Sequence, residues 1–197
     1  MRRTRYSMGV FVWYFGTKCR YPEVPHHSMI LGPRYKGLLG DIFWRKKLSS
    51  DFSLYLHRPT ATDTSMAPDG CDTFYALVPV PHLDSGTDWE TFGASFRKQV
   101  QERLETTVLP ELGHHIACSH YVTPKDFENR FNSYKGAGFG PEPVIWQSAW
   151  FRAHNRSEEI DGLYLVGAST HPGAGIPGVL TSARVVVGGI PHAHELV

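Results

Sequence analysis

Three cysteines in 197 residues, Cys19, Cys71 and Cys118, make no CxxC pair and leave an odd thiol. That excludes a disulfide framework and a zinc-finger type of site, and it reads as reduced thiols in a cytoplasmic protein. An excess of one charge is missing too. With 20 Lys+Arg against 19 Asp+Glu, the net charge is +1, so nucleic acid is not an expected partner. Neither G-x-x-x-x-G-K nor G-x-S-x-G occurs, which removes P-loop enzymes and nucleophile-elbow hydrolases. The 11 histidines include the pairs His26-His27 and His114-His115 and the late His192 and His194, but none has HExxH or facial-triad company, so no metal is assigned. No segment is long enough to cross a bilayer. The apolar stretch Met8 to Phe15 follows Arg2, Arg3 and Arg5 as a secretory leader would, yet it is about half the roughly 20 residues of a span, and no small-x-small cleavage pattern follows it. Its aromatic and β-branched content predicts a buried strand.

What is present suits a folded domain, with 41% hydrophobic and 20% charged residues, 19 glycines and 14 prolines. A turn-rich passage from Tyr21 to Arg34 leads to a short helix expected over about Tyr35 to Leu48. Phe52, Leu54 and Leu56 alternate with polar neighbours as a half-buried strand does. Phe74 to Val80 reads as another strand, with Pro79 and Pro81 marking its end or placing it at a sheet edge. Trp89, Phe92, Phe96, Val100, Leu104 and Val108 recur at helical spacing behind the cap Asp88, up to Pro110. Ile116 to Val122 alternates as a strand. Thr123-Pro124-Lys125-Asp126 then supplies the cap, first-turn proline and acid of a helix to about Phe131. These pieces suggest an antiparallel sheet with helices.

The last fifty residues differ in character. Leu163-Tyr164-Leu165-Val166 reads as a short buried strand, Gly167 to Gly178 as a glycine-rich loop, and the residues through Val187 as a helix. Gly173, Gly175 and Gly178 spell G-x-G-x-x-G, but a dinucleotide fold also needs a second parallel strand and an acidic residue about 20 positions on. Only Pro191 to Val197 follow the helix, so the literal reading fails. Open amides at Ile176 and from Gly178 to Leu180, together with the helix dipole, are still expected to hold an electron-rich group.

Asn155-Arg156, Ile160 to Ala168 and Thr170 to Val179 carry a resemblance. They are similar to the C-terminal signature of the bacterial and fungal phytoene desaturases, FAD-dependent carotenoid desaturases related to amine oxidases. His26-His27-Ser28, Gly32-Pro33-Arg34-Tyr35, Asp51 to His57, Pro79 to Leu83, Gln147 to Arg152 and His154 resemble the same family in order, so the likeness spans nearly the whole chain. Ser169 departs from the glycine expected there and is expected to crowd the loop slightly.

The resemblance implies an α+β or α/β fold. In it, residues 1–150 form a substrate-domain portion with an antiparallel sheet. Residues 151–197 supply a C-terminal strand, loop and helix that complete a Rossmann-like FAD-binding domain, whose N-terminal part would precede this sequence. Taken alone, the chain is then expected to bind FAD weakly or not at all.

By the same resemblance FAD contacts Gly167, Ala168, Gly173, Gly175, Ile176, Pro177, Gly178 and Val179. Arg152 is a candidate partner for a FAD phosphate or a carboxylate, and His171 is the candidate catalytic residue. Removal of two hydrogens from a polyene such as phytoene calls for an apolar tunnel, with Phe139, Trp146 and Trp150 as substrate candidates alongside Phe11, Trp13 and Phe15. A quinone or oxygen would take the electrons. Sister enzymes share the motifs, namely diapophytoene desaturases, carotenoid isomerases and retinol saturases, and an inactive hydrophobic-ligand-binding remnant is a further alternative. Ile42-Phe43-Trp44 beside Arg45-Lys46-Lys47 suggests peripheral docking on a membrane surface.

Overall fold

The computed structural model describes residues 4–191; Arg2, Arg3, His192 and His194 lie outside them. The described chain divides into two compact units, one of residues 8–138 and one of residues 4–7 with 139–191. The expected change of character at 150/151 thus falls inside the second unit, because segment 139–150 packs with the loop residues around 168 and 173.

The first unit is an α+β domain. Its strands are β1 (Gly9–Thr17), β2 (His27–Ile30), β3 (Leu54–His57), β4 (Asp72–Val80) and β5 (Ile116–Val122). They form one antiparallel sheet in the order β2-β3-β4-β1-β5. The apolar run that imitates a leader is the inner strand β1. Phe11, Trp13 and Phe15 fill the core face, while Val10 and Val12 are also buried and Tyr14 is exposed, so both faces of this strand are covered in its first half. Burial alternates strictly along β4.

Helix α1 (Tyr35–Gly40) lies between β2 and β3; α2 (Trp89–Glu105) and the single turn α3 (Leu112–His115) precede β5, and α4 (Pro124–Phe131) follows it. Asp88 caps α2 by accepting from the amides of Glu90 and Thr91. Trp89, Phe96, Val100 and Leu104 of α2 then join Leu109, Leu112 and the sheet's inner face in one core. Phe96 meets Phe11 edge-on, with ring centroids 5.0 Å apart, a favoured aromatic geometry. Thr123 and Asp126 form a reciprocal capping box at α4. Phe11, Trp13 and Phe15 are therefore packing residues and not tunnel walls, a correction to the sequence expectation.

Two further expectations are refined. Of the two readings of Pro79 and Pro81 the strand end holds and the sheet edge does not, since β4 stops at Val80 and is internal, paired to β1 along its length with Pro79 opposite Val10. The proline is tolerated because the β3 ladder covers only Tyr75 to Leu77 of β4, so Pro79 lies past its end. The helix expected to Leu48 ends early. After α1, residues Asp41–Arg45 form a π turn, and Lys46 turns left-handed at φ 51°. Ile42 is buried and Arg45 is paired with Asp41, so of the proposed membrane wedge Trp44 is the exposed apolar residue.

The Asp41 carboxylate gathers Arg45 at 2.6 Å, Ser49 at 2.8 Å and Arg34 at 3.3 Å. Arg45 foremost, then Ser49, holds its pKa down to about 2 from the ordinary 3.8. A depressed carboxylate adds stability above its unfolded pKa and loses it as pH falls toward its folded pKa. The urea midpoint of the parent chain is therefore expected to drop more steeply than that of Asp41→Asn between pH 3.8 and about 2. Identical slopes would show that Asp41 is no better solvated by its partners than by water.

Candidate functional site

The second unit is built around the glycine-rich loop and α5 (Ile176–Gly189). Pro177 sits in the first turn of α5, and no side chain caps that end. Because proline brings no amide hydrogen, Ile176 and Gly178 supply the open donors there. Val179 does not join them, since its amide donates to the Gly175 carbonyl at 2.9 Å. Ile176 projects outward, 79% exposed.

Gly167, Gly173 and Gly175 have φ of 127°, 139° and 95°, conformations in which an L side chain is strained. Nothing lies within 4 Å of where a Cβ would stand on Gly167 or Gly175, so both present bare backbone to open space. Gly178 has another reason. A Cβ there would stand 2.5 Å from the Gly173 carbonyl oxygen. The missing side chain thus lets the loop fold back onto α5, while the Gly178 amide stays among the open donors.

Arg152 is buried and reaches two carbonyls, Ala168 at 2.7 Å and Pro141 at 3.2 Å. Its Nε lies beside Gly173. Burial lowers its pKa from the ordinary value. The expected carboxylate partner is not what it meets; it braces three stretches of the loop unit.

A second brace escaped sequence reading. Ser182, wholly buried on α5, accepts from Asn155 Nδ2 at 2.8 Å and from the Gly167 amide at 3.2 Å. Thr170 Oγ1 donates to the Gly167 carbonyl at 2.9 Å and lies 3.0 Å from Ser182 Oγ, so the Ser182 hydroxyl donates to Thr170. Asn155 Nδ2 and the hydroxyls of Thr170 and Ser182 are all engaged, which fixes the loop against the helix. The only sequence signal was a small polar residue at an inward position of an apolar helix.

The expected strand Leu163–Val166 is not formed. Tyr164 makes one isolated bridge with Arg156, and Val166 is exposed. Among the described residues no strand runs alongside to complete a ladder, so these residues are held instead through Asn155, whose carbonyl accepts from the Leu165 amide at 2.8 Å. His171 is half-buried, and its Nδ1 donates to the Ala149 carbonyl at 2.9 Å, leaving Nε2 as the acceptor. Ser169 does not crowd an open face; it packs its hydroxyl against Gly140.

Phe139, Trp146 and Trp150 are 39%, 61% and 69% exposed. The cavity beside Trp150, about 490 Å³, is lined by Arg152, His154, Arg156, Glu158 and Glu159 as well as Phe151. That lining does not make an apolar tunnel.

The loop does fit a flavin nucleotide. Residues 167–178 contain no acidic side chain, two glycines leave backbone accessible, and two amides at a helix start suit a phosphate or a ring heteroatom.

The model of flavin-containing amine oxidoreductases matches residues 42–190. The chain belongs to that family. Among relatives of this chain, a neurosporene-forming phytoene desaturase of Cereibacter sphaeroides is 52% identical over 98% of the chain and 38% of its own length. One of Rhodobacter capsulatus is 50% identical over 97% of the chain and 37% of its own length. A lycopene-forming phytoene desaturase of Pantoea ananas is 46% identical over 95% and 38%. The chain thus spans less than two fifths of the length of these curated relatives.

Absence of metal-type spacing had suggested no metal ligands. The sheet nevertheless brings His57 beside His26 and His27, a grouping made by strand pairing. Among the described residues no helix is long and apolar enough to cross a membrane.

Proposed function

We propose that this chain is the C-terminal part of an FAD-dependent phytoene desaturase, which removes two hydrogens from adjacent carbons of phytoene on the way to neurosporene or lycopene. The observation that supports this most is the braced loop with open backbone at Gly167 and Gly175, in a chain about half identical to neurosporene-forming relatives. When bound, the flavin would take up the two hydrogens and pass the electrons to a quinone or to oxygen.

The chain's own residues would hold and orient. Ile176 and Gly178 amides would face a phosphate or ring heteroatom, and Arg152 and Ser182 would keep the loop in shape. His171 would offer Nε2 as a hydrogen-bond acceptor beside the cofactor. The outer residues of α5, among them Ile176, Leu180 and Val187, are exposed and apolar; in the longer protein they suit burial in a Rossmann-like FAD domain. Phe139, Trp146 and Trp150 would meet the polyene, and Trp44 would enter the surface of the membrane that carries it.

The test uses the complete protein with phytoene in anionic liposomes, with and without added FAD. Expected are vesicle binding and FAD-dependent appearance of coloured, more conjugated carotenes. A flavin-loaded protein that leaves phytoene unchanged would sink the substrate assignment, and one that takes up no flavin would sink the cofactor assignment.

A further inference from the structure

The edge of the sheet holds three imidazoles. Strand pairing sets His27 directly opposite His57, and the Arg58 amide donates to the His26 carbonyl at 2.9 Å, carrying the pairing one step beyond β2. One ring nitrogen from each of His26, His27 and His57 lies within 4.8 Å of the other two. The Nε2 atoms of His26 and His57 are 2.7 Å apart, so one ring's N–H donates to the other's lone pair.

The outer side of each ring matters as much. His26 Nδ1 is held by the Thr62 hydroxyl, and His27 Nδ1 lies 2.6 Å from the Tyr55 hydroxyl. With Nδ1 engaged, Nε2 is the nitrogen that each of these two rings has left to offer an ion. A metal-ligating histidine commonly gives its other N–H to an oxygen, which fixes tautomer and ring orientation. His57 Nδ1 is buried without a hydrogen-bond partner, leaving Nε2 as the polar anchor of that ring.

We propose that His26, His27 and His57 form a three-histidine site for a borderline divalent transition-metal ion of the zinc class, with a fourth position open to water. Three neutral imidazoles suit such an ion better than calcium or magnesium, which take oxygen ligands. The ion would replace the proton shared by His26 and His57. Bonds of about 2.0–2.1 Å at tetrahedral angles require nitrogens roughly 3.3 Å apart, so those two rings part by about half an ångström and the third closes in. His27 is exposed and has room to make that swing. The ion would clip edge strand β2 to β3 and to the turn bearing Thr62, far in sequence from the flavin loop and independent of it.

The experiment is a Co²⁺ titration of the untagged complete protein, followed by its d–d absorption and by displacement with Zn²⁺. One saturable equivalent is expected. His57→Gln and His27→Gln are each expected to weaken binding about a hundredfold. Tyr55→Phe, which keeps all three imidazoles, is expected to weaken it about tenfold. His114→Gln with His115→Gln is expected to change nothing. His27 is exposed, so its variant keeps the core intact and decides the matter even where His57→Gln disturbs folding. No saturable band in the folded parent chain, or unchanged affinity in His27→Gln, overturns the site.

Discussion

Asp72→Ala is expected to destabilise the chain by about 3–5 kcal/mol, the cost of leaving a buried charge without its partner. Asp72 is 1% exposed and Arg58 6%. Arg58 donates to both Asp72 oxygens, at 2.9 and 3.2 Å, and to the Val24 carbonyl at 2.8 Å. The same carboxylate accepts from the Tyr21 amide and the Thr60 hydroxyl, each at 2.7 Å. Four donors from three residues thus lose their acceptor at once. Adding Arg58→Met to the variant is expected to restore part of the loss, because most of it comes from the stranded guanidinium and not from forfeited attraction. Urea denaturation of parent, single and double variants measures this. A single variant within about 1 kcal/mol of the parent would mean that water reaches the guanidinium, as at a surface pair.

The second large effect falls on the cofactor. Gly178→Ala puts a Cβ 2.5 Å from the Gly173 carbonyl oxygen, and neither partner is a flexible side chain. Overpacking of this kind costs about 1–3 kcal/mol. If the loop keeps α5 and shifts Gly173 instead, the proposed flavin contacts are lost together. Flavin affinity of the complete protein is then expected to fall roughly tenfold to a hundredfold, at about 1.4 kcal/mol per decade. Gly188→Ala on the same helix meets nothing within 4 Å and is the neutral comparison. The readout is the flavin-to-protein absorbance ratio after gel filtration. Equal occupancy in Gly178→Ala and Gly188→Ala would show that the loop does not carry the cofactor.

Much of the first unit was legible because its signals are local. The aromatic run of β1, the Asp88 cap and spacing of α2, and the Thr123-Asp126 box each act within a few residues. The end of the helical stretch at Arg45 was not, because it depends on Lys46 turning left-handed. Nor was the internal place of β4, which depends on where β3 stops. In the loop unit the motif located the glycines, but their reasons came only with coordinates. Gly175 is there for open space, whereas Gly178 is there for a carbonyl five residues back. The failure of Leu163–Val166 as a strand has a similar cause: an apolar run becomes a strand only where a neighbour supplies the ladder. Arg152, Ser182 and the three histidines act across chain separations that spacing does not reveal.

The position of β1 governs how the sheet can be assembled during synthesis. Val12 pairs with Leu77 on one side and Val122 on the other. When the ribosome has released β1, neither neighbour exists, and the second arrives 110 residues later. At translation rates of about 5–20 residues per second, that wait is roughly 5–20 seconds. Until β4 emerges both edges of this apolar strand are unpaired, and until β5 follows one edge still is, the condition in which a nascent chain is captured by chaperones or pairs with another copy of itself.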